Sequence, residues 1–141
     1  TAHGMSPPDP NNTTYLTRDF PELIPMLDSS QKGHPLVPAG GCRDFFLHLK
    51  KDKLQDAISL LQEPLAEKAE VHKVHDLMKA GLFGHSVSEN LRSRIGNLVI
   101  LPYYGESVWW YEKNRFEQNM LGHHGGLTRH EMEIPLLALC L

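Results

Sequence analysis

Hydrophobic positions in the middle of the chain repeat with the periods of helices and strands. Residues 51–62 have the i, i+3, i+4, i+7 spacing of an amphipathic helix, with apolar side chains at Leu54, Ala57, Ile58 and Leu61. The short apolar run at 45–49 predicts a strand before this helix, and the alternation at 69–74 predicts a half-buried strand after it. Strand, helix and strand in this order predict a compact βαβ-type unit.

The pattern continues toward the C-terminus with two further helices and two strands. A short helix is predicted at 75–81, with Gly81 as its stop, and another begins within 86–91. The continuous apolar run at 95–102 predicts a strand that is buried on both faces. Residues 107–111 are expected to pair beside that strand.

The first third of the chain has little periodic pattern. Residues 1–41 are rich in turn formers and leave room for one short helix at 19–27, capped by Asp19 and with Pro21 in its first turn. Near the other end, Thr128 and Glu131 have the spacing of a capping box around a single helical turn. These elements together predict an α/β or α+β fold with one small mixed sheet.

Composition and charge narrow the class of protein. The chain has 141 residues, 40% of them hydrophobic and 22% charged, which is enough for one domain with a real core. The net charge of −3 and the absence of a basic stripe argue against a nucleic-acid groove. No apolar run approaches about 18 residues, so no membrane partner is expected.

Cys42 and Cys140 form no C-x-x-C pair, which predicts buried thiols and favours a reducing compartment such as the cytoplasm.

The strongest candidate for chemistry is the Gly-His-His-Gly-Gly turn at 122–126. Imidazole is a common neutral metal ligand, and neighbouring glycines let other groups approach closely. Adjacent side chains on an extended backbone point in opposite directions, so at most one of His123 and His124 faces a given site. The competing interpretation is a surface turn with two solvated histidines. A second His-Gly turn, His3-Gly4, lies at the start of the chain.

Other features favour structural roles over chemical ones. Trp109, Trp110 and Tyr111 are typical of a core or an interface. The strand-to-helix break predicted between His72 and His75 argues against a joint metal site. Glu131 is interpreted as a cap partner, and no Ser/His/Asp arrangement, P-loop or dinucleotide fingerprint is present. No catalytic residue is therefore assigned.

The two His-Gly turns, together with the strand at 94–102 and the segment at 124–136, resemble the alkaline phosphatase superfamily. The similarity is to the C-terminal portion of its type I phosphodiesterase/nucleotide pyrophosphatase branch. That resemblance implies two divalent metals, usually zinc, with His3 as a ligand of one and His124 as a ligand of the other. His123 would be a neighbour and not a ligand. The family's Asp before the first His is Ala2 here, and its nucleophile and remaining ligands have no match in the chain.

The resemblance implies the C-terminal and cap fragment of a metal-dependent phosphoester hydrolase that is inactive alone. Residues 1–33 would be a loop-rich segment after the metal motif, 34–95 a cap-like α/β insertion, and 96–141 the last core strands. Zinc and a phosphoester substrate would belong to the complete parent, because two ligands do not make a tight catalytic site. A fragment of such a parent exposes the apolar surface on which the missing part of the sheet would pack, so self-association of the chain is expected. The alternative is a non-catalytic α/β interaction or oligomerisation module. A minimal one-metal hydrolase ranks last, because no third ligand is indicated.

Overall fold

Two separate sheets form the frame of the chain in the computed structural model, which describes residues 4–7, 9–112 and 120–139. The strands are β1 (Thr13–Tyr15), β2 (Ala39–Gly40), β3 (Phe45–Leu47), β4 (Ala69–Lys73), β5 (Leu98–Pro102) and β6 (Ser107–Trp109). The larger sheet is antiparallel in the order β2-β3-β5-β4, and the smaller sheet pairs β1 with β6 in parallel. The mixed α/β class is confirmed, but two sheets of different type replace the single mixed sheet.

The helices are short, and most lie where the pattern predicted them. They are α1 (Leu16–Asp19), α2 (Leu54–Gln62), α3 (Val74–Lys79), α4 (Glu89–Arg94) and α5 (Arg129–Met132), with 3-10 turns at Pro10–Asn12, Pro21–Met26 and Lys51–Lys53. The amphipathic stripe predicted for α2 is confirmed, because Ala57, Ile58 and Leu61 are buried. Ser88 caps α4 by accepting a hydrogen bond from the Leu91 N–H at 3.2 Å. No helix in the described ranges is long and apolar enough to cross a membrane.

The predicted βαβ-type unit is present in a split form. Both β3 and β4 run antiparallel to β5, so they are parallel to each other and β5 lies between them. All five residues of β5 are buried, as its continuous apolar run predicted. A strand that is apolar on both faces buries the most apolar surface at the centre of a sheet. This explains why β5 lies between β3 and β4, the two strands of the βαβ-type unit.

The large sheet buries apolar side chains on both faces. Alternate residues of β5 point to opposite sides, with Leu98 and Ile100 in the main core and Val99 and Leu101 in a second cluster. The main core contains the buried stripe of α2, and the second cluster is covered by α3. Cys42 is buried, as expected, whereas Cys140 lies outside the described residues.

Two predictions of local structure were wrong, the Asp19 cap and the partner of β6. The short helix predicted at 19–27 with Pro21 in its first turn is present as a 3-10 helix over Pro21–Met26, and Pro25 inside it has no N–H for a regular α-helix. Asp19 does not cap that helix but ends α1, where its carboxylate accepts the Tyr15 N–H at 2.9 Å.

The second wrong prediction concerns the partner of β6. This strand pairs with β1 and not with β5, in a register that places Thr13 opposite Ser107. The buried hydroxyls of these two residues are 2.8 Å apart. A turn at residues 103–106 causes the change of partner, because it carries the chain away from the large sheet.

Candidate functional site

The residues that follow His3 in the first turn lie beside the second His-Gly turn, although the two segments come from opposite ends of the chain. Ser6 and His123 form an antiparallel bridge in which each N–H donates to the other's carbonyl, at 2.7 and 2.8 Å. Gly4 packs directly on the backbone of α5, since a Cβ at this position would lie 1.7 Å from the His130 carbonyl oxygen. Only glycine permits such close approach. The first turn is therefore fixed against both the second turn and the helix that follows it.

The two histidines of the second turn have opposite environments. His123 is 7% exposed, whereas His124 is exposed to solvent. This agrees with the prediction that adjacent side chains in the turn face opposite ways. Burial lowers the pKa of His123, and the positive charges of Arg43 and His124 lower it further. His123 is therefore a neutral imidazole inside the fold at pH 7, and His124 is the histidine on the surface of the turn.

The predicted metal pair is described only in part. His124 stands on the turn, but His3 and Ala2 lie outside the described residues. Within the described ranges, no group of three or more His, Cys, Asp or Glu side chains is arranged to hold a metal ion. The assignment of His3 and His124 as metal ligands stays a prediction, as does the division of the chain at residues 33 and 95.

A buried ion pair between Arg43 and Glu131 lies directly against Gly126 of the second turn. The Arg43 Nε and Nη2 donate to the two Glu131 oxygens at 2.9 and 2.8 Å, and both side chains are 1% exposed. Such a bidentate pair has a fixed geometry as well as charge. The third nitrogen, Nη1, donates to the carbonyls of Tyr103 and Glu106. One guanidinium therefore ties the turn after β5 to the start of α5.

The capping box predicted for Thr128 and Glu131 is not formed, because the Thr128 side chain makes no cap hydrogen bond on α5. The Glu131 carboxylate instead accepts the Thr128 hydroxyl at 2.6 Å and the Gly126 N–H at 3.2 Å, in addition to Arg43. Burial alone would raise the pKa of Glu131, but the hydrogen bonds from Arg43 and Thr128 and the charge of Arg43 lower it from 4.5 to about 2. A Cβ on Gly126 would lie 2.6 Å from Glu131 Oε2, so the glycine lets the turn close onto the carboxylate.

Arg43 and Asp44 are the residues that sequence reasoning missed. A charged Arg-Asp pair immediately before the apolar run of β3 was the available signal, because charges beside a buried strand need partners. Asp44 accepts the Gly41 N–H on Oδ1 at 2.7 Å, and a Cβ on Gly125 would lie 3.0 Å from the same oxygen. The carboxylate therefore lies against the backbone of the second turn, beside His124.

The electrostatic environment of Asp44 is unusual for a carboxylate. Burial raises its pKa, and the negative charge of Glu131 adds to this effect. The Gly41 N–H and His124 act in the opposite direction and favour the charged form. His124 and Asp44 thus form a neighbouring imidazole and carboxylate on one side of the turn.

The Trp109-Trp110-Tyr111 patch is integrated with the fold. Trp109 contacts Phe45 edge to face with ring centroids 5.9 Å apart, and both tryptophans pack against the main core. The Thr17 hydroxyl donates to the Tyr111 carbonyl at 2.5 Å. These contacts favour the core interpretation of the two tryptophans over a free interface.

Comparison with known proteins identifies no relative. No family model, no curated protein and no solved structure matches the chain.

Proposed function

We propose that this chain is the C-terminal and cap portion of a metal-dependent phosphoester hydrolase of the phosphodiesterase/nucleotide pyrophosphatase type. The observation that supports it best is the backbone bridge between Ser6 and His123. The two turns that carry the resemblance are far apart in sequence, yet Ser6, just after the first turn, pairs with His123 of the second turn, and Gly4 packs on the backbone of α5. A hydrolase that places one metal ligand on each turn needs this juxtaposition.

The donor types present suit a divalent metal on the exposed side of the second turn. His124 supplies an imidazole there and Asp44 lies beside it, while the resemblance assigns His3, outside the described residues, to the other of the two metals. Histidine and carboxylate are the usual protein ligands of catalytic zinc. A bound metal of this kind stabilises charge on phosphoryl oxygens. The chain's own residues bind and position, and none of them is assigned as the nucleophile, so the chain alone is expected to be inactive.

The small parallel sheet also supports the proposal that this chain is part of a larger protein. Parallel strands are normally found in sheets with helices on both faces, and two strands alone are a marginal sheet. The segment after α5 adds to this picture, because its apolar side chains are exposed: Ile134 at 54%, Leu136 at 91%, Leu137 at 86% and Leu139 at 80%. Apolar runs of this kind pack inside larger sheets or associate with other chains. They also support the expected self-association of the fragment.

Zinc binding and hydrolysis together test this proposal. We expect the purified chain to bind Zn²⁺ only weakly, measured against a low-affinity chromophoric chelator, and to leave bis-p-nitrophenyl phosphate intact, because the described residues hold no group of three ligands. His124→Ala should weaken binding, whereas His85→Ala, at an exposed histidine in the loop before α4, should not. Metal-dependent turnover that His124→Ala abolishes would refute the inactive-fragment proposal. Equal zinc affinity of the wild-type chain and His124→Ala would refute the metal assignment.

The second candidate is a non-catalytic interaction module, and the exposed segment at 134–139 favours it. In that case the chain would associate through these apolar side chains and bind no zinc at the turn. A chain that dimerises normally but shows no zinc binding would support this module over the hydrolase fragment.

A further inference from the structure

The backbone bridge between Ser6 and His123 places two polar side chains on one side of the paired segments. The two residues lie directly opposite each other and exchange both backbone hydrogen bonds. Side chains in such a pair project to the same side, with their Cβ atoms about 5 Å apart. The Ser6 hydroxyl and the His123 imidazole therefore share one space. Both residues are buried, at 2% and 7% exposure.

The orientation of these segments is the reverse of the usual one, because their polar side chains face inward. Met5 precedes Ser6, alternates to the other side of the backbone and is 56% exposed. Its Cε and Sδ atoms lie 3.1 and 3.5 Å from the position that a Cβ would take on Gly122. Polar side chains normally remain in water and thioethers normally pack inside. The inward position of Ser6 and His123 therefore requires a compensating interaction.

No partner for the inward groups is found within the described residues. Three buried side-chain atoms there make no hydrogen bond, and two of them are Ser6 Oγ and His123 Nε2; the third is Glu106 Oε2. Arg43 acts on His123 through its charge, but its guanidinium nitrogens donate to Glu131 and to two backbone carbonyls. A buried hydroxyl or imidazole nitrogen without a hydrogen bond destabilises the fold.

We propose that Ser6 Oγ and His123 Nε2 together bind one ordered internal water molecule. Buried waters typically make about three hydrogen bonds to polar groups that the protein itself leaves unsatisfied. Water both donates and accepts, so it can serve either tautomer of the His123 ring, and the Ser6 hydroxyl is equally adaptable. The burial of both groups favours water over a larger ligand. The water joins the side chains of the two turns where the bridge joins their backbones, and it fixes the ring next to His124.

A crystal structure of the metal-free chain tests this site directly. We expect one water oxygen within about 2.7–3.2 Å of both Ser6 Oγ and His123 Nε2. A direct hydrogen bond between these two atoms would overturn the proposal, and so would a structure in which neither atom contacts a water. The Ser6→Ala variant should lose the water. A water that stays at full occupancy in Ser6→Ala would also overturn the proposal, because the hydroxyl would not be binding it.

Urea unfolding measures whether the two side chains act as one unit. Ser6→Ala and His123→Phe should each raise the unfolding equilibrium constant about 2- to 12-fold, the usual effect of losing a buried hydrogen bond. The double variant should raise it no further than the larger of the two single changes, because either change alone already removes the water site. Single effects that multiply in the double variant would contradict a shared water.

His85 and Ser86 provide the matched control pair, because both are exposed in the loop before α4. His85→Phe and Ser86→Ala should each change the unfolding constant by less than about 2-fold, and their effects should multiply. These measurements need no metal. A chain that binds no zinc therefore leaves this inference standing, and a chain without the internal water leaves the proposed function standing. Coupling between His85 and Ser86 as strong as that between Ser6 and His123 would overturn the inference from the unfolding data.

Discussion

The buried pair of Arg43 and Glu131 predicts a measurable dependence of stability on pH. The pKa of Glu131 lies at about 2 in the folded chain, against 4.5 for an unperturbed glutamate. A depressed pKa stabilises the folded state above the unfolded value, and this contribution disappears as the pH falls through the folded value. At about 1.4 kcal/mol per pKa unit, the shift corresponds to about 3 kcal/mol. Breaking a buried pair by removing one partner costs a similar amount, about 3–5 kcal/mol.

The perturbation is Glu131→Gln, which removes the charge and keeps the size of the side chain. We expect urea unfolding at pH 7 to show a loss of about 3 kcal/mol relative to the wild-type chain. The difference should shrink between about pH 5 and pH 2, because the wild-type glutamate becomes protonated over that range. Subtracting one curve from the other removes the contributions of the carboxylates that do not interact with Glu131; Asp44 is not among them, because the charge of Glu131 raises its pKa.

Glu133→Gln is the matched control, because this glutamate is exposed and pairs with Arg129 on the surface of α5. Surface pairs contribute about 0–1 kcal/mol, so its unfolding curve should stay close to that of the wild-type chain. A difference between wild type and Glu131→Gln that stays constant from pH 7 to pH 2 would refute the electrostatic argument. The same holds if Glu131→Gln and Glu133→Gln lose equal stability.

Three further predictions concern the contacts that build the site and the surface. Gly4→Ala should separate the two His-Gly turns, because its Cβ would collide with the His130 carbonyl. Both the free energy of unfolding and the zinc affinity should fall, and unchanged values would contradict the close packing. Trp109→Ala should lose more than about 1 kcal/mol in urea unfolding but less than the about 3–5 kcal/mol typical of a fully buried aromatic, because its ring is partly buried against the main core. A loss below about 1 kcal/mol, with altered assembly, would assign Trp109 to an interface. Replacing both Leu136 and Leu137 with Glu should convert a self-associated chain to monomer by light scattering, with little change in melting temperature. An unchanged oligomer would exclude this segment as the interface.

Local elements were predictable because their signals are local. The stripe on α2 and the continuous apolar run of β5 each depend on residues within a few positions of one another. The opposite environments of His123 and His124 followed from the alternation of side chains along an extended backbone. The resemblance to the phosphodiesterase family also indicated both His-Gly turns, but it did not indicate which residues pack against them.

The partners of strands and charges depend on long-range packing and could not be predicted. Nothing near residues 107–109 shows that β6 pairs with β1, because strand pairing depends on which strands the tertiary fold brings together. Nothing near Glu131 shows that Arg43 lies opposite, so the capping-box spacing suggested a local role for a residue with a long-range one. Asp44 was missed for the same reason.

The sequence by itself determined the class of elements, the central buried strand and the turns on which a histidine site can form, since hydrophobic period and backbone freedom are properties of neighbouring residues. Only the tertiary structure decided which turn lies against which, which charge pairs with which, and which of two adjacent histidines reaches the surface. These outcomes depend on desolvation, because a buried charge such as Glu131 must find its partner wherever the fold places one.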